Sequence, residues 1–305
     1  VPHRTSPLPT LRDVDEIHEL VRKVLENEPV PEAKRRLIAP GTTLGGARPK
    51  GLIEIKGAQW VVKFAEDGDP TDAPLVEHAC MTLAAKADIE VAQTRAIELV
   101  DGHALAVLRF DRQGSGANTE RRHAQSALVA LRAEGSAPGY PELAQLLRRR
   151  APLQDDLAKK QMRELYRRMV FNILMDNTDD HEKNHVLLMN DAQQLVLAPA
   201  FDVLPAAQGL GNQQMRVGRD GADATLENAL SEAAFFGLSA AEAKAETARV
   251  AAVCNEWKTH FAAAGVTSGN IEYLAQFIDR DFLRDQRKDS LPRSPRRAAA
   301  PARKR

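Results

Sequence analysis

Residues 172–205 read NILMDNTDDHEKNHVLLMNDAQQLVLAPAFDVLP, and this stretch carries most of the information about the fold. An apolar helical pattern ends near Asn177 and is followed by the polar run TDDHEKNH. Two β patterns, VLLM and QQLVLAP, then flank Asn190-Asp191, which favours a hairpin. Asp202 stands directly after that hairpin. The order of buried helix, polar loop, hairpin and acidic residue marks this region as the candidate site.

Before this stretch, the chain shows helical patterns first and mainly β patterns after them. Residues 9–38 read as one or two polar helices. Beyond them, the β patterns GLIEIK and QWVVKF are separated by Gly57-Ala58, and Pro74 opens a helix. TRAIELV and HALAVLRF then flank the dipeptide Asp-Gly at 101–102, a strong hairpin signal. This order predicts a small, mostly antiparallel sheet with one helix packed on it.

Helical patterns dominate after the first hundred residues. The clearest one starts from a cap at Asp155 or Asp156, and glycines at 237 and 265 interrupt the later ones. We therefore predict an α+β protein with two lobes. Its divisions are an N-terminal helical segment at 1–38, a small lobe at 39–113, a helical lobe at 114–285 and a disordered basic tail at 286–305.

Composition limits the class of protein. Lys and Arg together number 42, as do Asp and Glu, so overall basicity gives no argument for nucleic-acid binding. No apolar run is long enough to span a membrane, and the N-terminus lacks the apolar core of a signal peptide. Two cysteines, Cys80 and Cys254, cannot form a disulfide framework or a cysteine zinc site. We expect a cytoplasmic protein without a membrane partner.

Both ends of the chain carry expectations of their own. The sequence begins with Val1 and not Met, so an upstream segment is expected to be missing. From Ser290 to Arg305 there are six basic residues and no acidic one. Such a stretch predicts a solvated, disordered tail, and weak contact with nucleic acid or an acidic partner is the alternative.

The polar loop contains the first chemical signal. Asp179 and Asn184 are five residues apart, which is the spacing of the protein-kinase catalytic loop. In that loop the Asp takes the proton of the substrate hydroxyl and the Asn holds Mg²⁺. Asp202 then stands where the second metal-binding carboxylate is expected. Amide and carboxylate oxygens are ligands that Mg²⁺ prefers.

The first half of the chain completes the pattern. Gly45 and Gly46 lie in a Gly-rich segment whose backbone can approach phosphates closely. Lys63 lies in the β pattern WVVKF, as a phosphate-pairing lysine should. Glu77 on the following helix is its candidate ion-pair partner. Each feature alone is commonly structural, and their order along the matching elements favours an ATP- and Mg²⁺-dependent kinase.

Five segments resemble a known family, the HipA-like serine/threonine kinases of bacterial toxin–antitoxin modules. They are LGGARPK at 44–50, WVVKF at 60–64, VLRFDR at 107–112, NTDDHEKNH at 177–185 and LAPAFDVLP at 197–205. The resemblance covers about 40–283 and implies a two-lobed protein-kinase-like fold. Family members usually carry a further N-terminal domain before the Gly-rich loop. We therefore expect a fragment or a short form that uses a separate small subunit.

The resemblance also implies roles for individual residues. Asp179 falls on the catalytic base, Asn184 and Asp202 fall on the metal-side positions, and Thr43, beside Thr42, falls on an inhibitory autophosphorylation site. Contacts to ATP are implied for the Gly-rich loop, the strand lysine and its partner, the hinge and the catalytic loop. These residues are Gly45, Gly46, Ala47, Arg48, Pro49, Lys50, Lys63, Glu77, Leu108, Arg109, Phe110, His181, Lys183, Asn184, Phe201 and Asp202.

Partners are implied by the same resemblance. The substrate would be a serine or threonine hydroxyl on a translation protein such as an aminoacyl-tRNA synthetase. A small helix-turn-helix antitoxin of the HipB type would bind the kinase, and DNA would be contacted only through that antitoxin.

Two alternatives remain open at this stage. Residues 181–185, HEKNH, match the HExxH signature of zinc peptidases, which requires both histidines on one face of a continuous helix and a third ligand. The expected end of the helix near Asn177 argues against that alternative. A non-catalytic kinase-like binding module is the other, although the Asp179, Asn184 and Asp202 positions are intact.

Overall fold

The computed structural model of this chain describes residues 8–26, 28–38, 50–114, 119–150, 156–192 and 194–291. Predictions that concern Thr42, Thr43, residues 45–49 and residues 292–305 therefore lie outside the described residues. Within the described part, no helix is both long and apolar enough to cross a lipid bilayer.

The N-terminal segment folds as a short 3-10 helix followed by two α-helices, Leu11–Asp13, α1 (Val14–Leu25) and α2 (Glu32–Ile38). Thr10 begins the first turn with a capping box, in which its backbone N–H donates to Asp13 at 2.6 Å. Val14, Ile17 and Leu20 recur at helical spacing and are buried. These side chains pack α1 onto one face of a β-sheet.

That sheet forms the centre of the small lobe and is antiparallel throughout, with strand order β1-β2-β4-β3. Its strands are β1 (Lys50–Ile55), β2 (Ala58–Lys63), β3 (Thr94–Glu98) and β4 (His103–Leu108). The sheet and its two hairpins were predicted from the sequence and are confirmed.

The first hairpin turns one residue earlier than predicted. Lys56 and Gly57 form the turn, with φ of 51° and 79°, whereas the sequence suggested Gly57-Ala58. Two successive positive φ values give the turn type whose twist matches that of paired strands. In the second hairpin Gly102 has φ of 72°, as a glycine in an Asp-Gly turn should.

Helix α3 (Ala73–Lys86) covers the other face of the sheet. Asp72 caps it by accepting a hydrogen bond from the Leu75 N–H at 3.3 Å, and Pro74 occupies its first turn as predicted. Leu105 and Val107 of β4 pack with α3 in a core that continues into the large lobe. The sheet is thus held between α1 and α3.

The large lobe is mostly helical. Its helices are α4 (Ala127–Ala133), α5 (Tyr140–Arg150), α6 (Leu157–Leu174), α7 (Leu226–Ser231), the 3-10 turn Ala233–Phe236, α8 (Ala240–Asn255), α9 (Trp257–Ala263), α10 (Ser268–Ile278) and α11 (Asp281–Ser290). Its short strands are β5 (Arg112–Gln113), β6 (Glu120–Arg121), β7 (Ala124–Ser126), β8 (Val186–Met189) and β9 (Leu195–Leu197).

Three further local features differ from the sequence-based expectations. Helix α6 ends three residues earlier than predicted, at Leu174, and Asp176 has a positive φ of 53° that no α-helix can contain. The predicted β8–β9 hairpin gains a third strand, β7, which is too short to show alternation. The predicted disordered tail from 286 is wrong for its first residues, because α11 runs to Ser290 and buries Arg287.

Candidate active site

Lys63 is the centre of the candidate site. Its Nζ lies 2.6 Å from Glu77 Oε1 and 2.5 Å from Asp202 Oδ1. Strand β2 alternates, so Trp60 and Val62 face the α1 side while Lys63 faces α3. The structure thus brings together a strand residue, a helix residue and the residue that follows the β8–β9 hairpin.

Burial makes this cluster strongly electrostatic. Lys63 is 7% exposed and Glu77 is 3% exposed, so neither charge is well hydrated. Burial would lower the pKa of Lys63, but the two carboxylates outweigh it and raise that pKa. Burial would likewise raise the pKa of Asp202, but Lys63 lowers it, with smaller help from Lys50 and His181. Lys63 and Asp202 are therefore both charged near neutral pH.

Asp202 also has an unusual backbone. Its φ is 60°, in the left-handed region that Asp and Asn tolerate better than other non-glycine residues. Such a conformation costs on the order of 1 kcal/mol and persists only where surrounding contacts impose it. Its side chain is 40% exposed although one oxygen binds Lys63. The carboxylate therefore links the buried lysine to the open side of the site.

Asp179 lies on the polar loop and is exposed. Its Oδ1 accepts a hydrogen bond of 2.6 Å from Gln214 Nε2. Lys183 on the same loop is exposed, while Asn184 is 9% exposed and its backbone N–H donates to the His181 carbonyl at 2.9 Å. The loop thus presents the predicted base outward and holds the predicted metal ligand inward.

A buried polar network supports this loop. Asp180 Oδ2 accepts hydrogen bonds from the Tyr140 hydroxyl at 2.5 Å and pairs with His185 Nε2 at 2.7 Å. Asn172 Nδ2 in turn donates to the Tyr140 hydroxyl at 3.3 Å. Burial, followed by the Asp180 charge, raises the pKa of Tyr140 well above its usual range, so the phenol remains a donor. Sequence reasoning missed this network, and the paired acids Asp179-Asp180 were its only visible signal.

The predicted hinge lies at the end of β4, where Leu108, Arg109 and Phe110 connect the two lobes. Arg109 forms a bidentate pair with Asp111, with distances of 2.9 and 2.6 Å. The Phe110 ring lies 5.5 Å from the ring of Phe201, centroid to centroid. This ring pair joins the hinge to the segment that carries Asp202.

The structure does not support the HExxH alternative. Residues 182–184 form a turn and no helix runs through 181–185, so His181 and His185 do not share one face of a helix. His185 Nε2 is already paired with Asp180. Among the residues that the structure describes, no three His, Cys, Asp or Glu side chains are grouped to hold a metal ion. The geometry that a zinc peptidase requires is absent from this part of the chain.

The remaining predicted site residues are only partly described. Lys50 pairs with Lys63 in the register of β1 and β2, and its charge acts on Asp202. Gly45, Gly46, Ala47, Arg48 and Pro49 lie outside the described residues.

A small antiparallel sheet above a helical lobe, with a buried Lys–Glu–Asp cluster between them, is the architecture of protein-kinase-like proteins. The chain belongs to the HipA-like C-terminal domain family, whose profile matches residues 42–261. A curated relative from Sinorhizobium fredii, named "Putative kinase Y4dM", is 29% identical over 163 residues. That match covers 50% of this chain and 38% of the relative, so it spans well under two thirds of the relative's length.

Among the solved structures that share the fold are two bacterial proteins. One is HipA of Shewanella oneidensis MR-1, in a complex with HipB and its operator DNA, with a TM-score of 0.63 and 18% identity over 90% of this chain and 70% of that chain. The other is the proinflammatory kinase CtkA of Helicobacter pylori, with a TM-score of 0.58 and 13% identity over 82% of this chain and 95% of that chain. The predicted kinase-like α+β fold is thereby confirmed.

Proposed function

We propose that this protein transfers the terminal phosphoryl group of ATP to a serine or threonine hydroxyl of another protein. The observation that carries this proposal is the bonding of one buried lysine, Lys63, to both Glu77 and Asp202. Phosphoryl transfer depends mainly on positioning and on neutralising charge. A pre-positioned cation at Lys63 and an exposed carboxylate at Asp179 would meet these needs.

Asp179 is the proposed general base. Its exposure lets a protein hydroxyl approach, and a carboxylate at hydrogen-bond distance can accept the hydroxyl proton. The neighbouring Asp180 cannot take this role, since it is 2% exposed and is bonded to Tyr140 and His185. Of the two adjacent acids, only Asp179 is accessible to a substrate.

Asn184 and Asp202 are the proposed Mg²⁺ ligands. The residues fit this ion, because they offer an amide and a charged carboxylate, and the Asp202 side chain is 40% exposed toward the open site. Mg²⁺ is commonly held by one or two protein oxygens, and nucleotide phosphates and water complete its shell. When bound there, it would neutralise charge on the phosphate oxygens. Lys63 holds the Asp202 carboxylate in place for that role.

ATP is proposed to bind between the lobes. Within the described residues, His181 Nδ1 is buried without a hydrogen-bond partner, so this ring nitrogen is available to a ligand. Lys183 adds an exposed positive charge, and the Phe110–Phe201 pair adds apolar surface at the hinge. The Gly-rich residues from Gly45 to Lys50 are proposed to contact the phosphates.

The cellular setting is also a proposal. The Shewanella HipA structure contains HipB and operator DNA, which supports a helix-turn-helix antitoxin as partner and DNA contact through that partner. By the same likeness we propose a cytoplasmic toxin that acts on a translation protein such as an aminoacyl-tRNA synthetase. We also propose that a separate small subunit supplies the N-terminal domain that family members usually carry before the Gly-rich loop.

Ligand-induced stabilisation and phosphate transfer together test the function. A ligand that binds the native state raises the unfolding midpoint by mass action. We expect ATP with Mg²⁺ to raise it and Zn²⁺ to leave it unchanged, with radiolabelled phosphate appearing in protein acceptors. A rise with ATP but no transfer to any protein of a cell extract would favour the non-catalytic binding module.

Replacing Lys63 should affect stability and transfer through separate causes. Lys63→Met breaks the buried Lys63–Glu77 ion pair, which should cost about 3–5 kcal/mol of unfolding free energy. The double variant Lys63→Met/Glu77→Gln removes the Glu77 charge as well, so stability should largely return. Transfer should stay low in both variants, because neither offers a cation to phosphate. Denaturant unfolding and a phosphate-transfer assay measure the two effects.

Glu77→Gln alone is the matched control, and it should be milder than Lys63→Met in both assays. Recovery of transfer together with stability in the double variant would contradict a phosphate-binding role for Lys63.

Thr43 is the proposed site of self-inhibition. A phosphate there adds about −1.5 to −2 charge and three acceptor oxygens, which would compete with ATP phosphates for the same donors. We expect mass spectrometry of protein incubated with ATP and Mg²⁺ to find phosphate on Thr43. A Thr43→Asp variant should bind ATP more weakly without unfolding.

Thr42→Ala serves as the control and should still be modified at Thr43. Unmodified threonines in active wild-type protein, or a Thr43→Asp variant that binds ATP as tightly as wild type, would contradict the proposed inhibition.

A further inference from the structure

Gln214 is the residue that contacts the proposed base. Its Nε2 lies 2.6 Å from Asp179 Oδ1, although the two residues are 35 positions apart in the sequence. Nothing in the loop motif at 178–185 points to it. The contact therefore depends on how the segment around Gln214 is held against that loop.

The segment around Gln214 alternates like an extended strand. Gln213, Met215 and Val217 are buried, while Gln214 between them is exposed. The backbone N–H of Gln213 donates to the Ala222 carbonyl at 2.8 Å, which closes the segment into a loop. Buried neighbours on both sides thus direct the Gln214 side chain outward, to the side where Asp179 lies.

Arg216 ties this loop to the large lobe. Its guanidinium bonds Glu142 Oε1 of α5 at 2.9 and 2.6 Å and Glu232 Oε2 at 2.6 Å. Gly218 lies so close to α7 that a Cβ atom there would stand 2.1 Å from the Asn228 carbonyl oxygen. These contacts hold the loop backbone against α5 and α7, and they thereby place the backbone of Gln214 next to the loop that carries Asp179.

Tyr140 connects the two loops that meet at Asp179. Its backbone N–H donates to the Arg216 carbonyl at 2.9 Å, and its hydroxyl donates to Asp180 Oδ2 at 2.5 Å. Tyr140 is fully buried. One rigid residue therefore sets the distance between the segment carrying Gln214 and the loop carrying Asp179.

We infer that Gln214 is a positioning residue that orients the Asp179 carboxylate toward the incoming hydroxyl. In the proposed step, the hydroxyl proton passes to Asp179 while the hydroxyl oxygen forms its bond to the terminal phosphorus and the bond to the ADP oxygen breaks. This role rests on the proposed function. A neutral amide suits it, because a donor without charge fixes the carboxylate and leaves it negative, whereas a cation would reduce its basicity.

The role is tested with Gln214→Met, which keeps the side-chain length and removes the donor. The readouts are incorporation of radiolabelled phosphate into the chain itself and into dephosphorylated casein, the KM for ATP and the unfolding midpoint. We expect kcat to fall about tenfold, as loss of one hydrogen bond to a charged group would cause. KM for ATP and the midpoint should not change. Gln276→Met, at an exposed glutamine of α10, should leave every readout at the wild-type value.

A double-mutant cycle separates positioning from a general structural effect. In an Asp179→Asn background, Gln214→Met should have less than about a twofold further effect, since the two residues act as one unit. The inference is overturned by an unchanged kcat, by the same fold loss in both backgrounds, or by a loss that comes with a lower midpoint. Absence of any transfer by the wild-type protein would overturn the proposed function and this inference together, whereas an active wild type with an unaffected Gln214→Met variant overturns only the inference.

Discussion

Replacing Asp179 by Asn is expected to lower phosphoryl transfer by about 10²–10⁴, the contribution that general base catalysis makes. Asn keeps the size and planar shape of the side chain and cannot accept the hydroxyl proton. The Asp179 side chain is exposed on the loop, so the change should not disturb the core. ATP binding should survive, since the nucleotide is proposed to contact other residues. Radiolabelled transfer and calorimetric titration with ATP measure the two properties.

Two matched variants make this result specific. Asp285→Asn changes an exposed acid of α11 and should leave transfer unchanged. Asp180→Asn changes the buried neighbour and should lower stability, because Tyr140 and His185 lose a charged acceptor. Transfer by Asp179→Asn at the wild-type rate would remove Asp179 from the mechanism.

Replacing Asp202 by Asn is expected to remove most of the Mg²⁺ dependence of ATP binding. Losing a charged ligand in a partly buried site should weaken the affinity for ATP with Mg²⁺ by about two orders of magnitude. Asn tolerates the left-handed backbone that Asp202 adopts, so this variant avoids the strain that Ala would add. Lys63 keeps Glu77 as partner, and the fold should persist.

Titration with ATP, in Mg²⁺ and in a chelator, measures this difference. Wild type and variant should bind alike in the chelator and differ in Mg²⁺. An equal gain in affinity from Mg²⁺ in both proteins would show that Asp202 is not a ligand. Asp202→Ala should lose the same Mg²⁺-dependent affinity and, in addition, some stability.

The two predicted losses, of phosphoryl transfer and of Mg²⁺-dependent ATP binding, concern two different carboxylates of the proposed site. In the proposed mechanism Asp179 serves the acceptor hydroxyl and Asp202 serves the nucleotide. Asp179 is hydrogen-bonded to Gln214, whereas Asp202 is bonded to Lys63. We therefore expect the loss of transfer in Asp179→Asn and the loss of Mg²⁺-dependent ATP binding in Asp202→Asn to occur separately. Their separation distinguishes a kinase site from a site that only binds nucleotide.

Local chemistry made the small lobe predictable. The hairpin at 101–102 follows from Asp-Gly turn preference, and α3 follows from its apolar spacing and from Pro74 in the first turn. Strand β7 was missed because three residues give no alternation. The helical end of the chain was missed because Arg287 is buried against a distant element, where it donates to the Leu174 carbonyl. Patterns that arise within a few residues are visible in sequence, and burial of a single charge is not.

The sequence by itself determined which chemical groups occur and on which elements they lie. Asp179, Asn184 and Asp202 follow one another along a loop and a hairpin, and their order after a Gly-rich segment and a strand lysine predicted a kinase-like site. Only the tertiary structure decided that Lys63 binds Asp202 from 139 residues away and that Gln214 meets Asp179. The physical reason is that a buried charge must be paired with an opposite charge in three dimensions. The entropy cost of closing the intervening loop grows slowly with its length, so the partner can lie far away in the sequence.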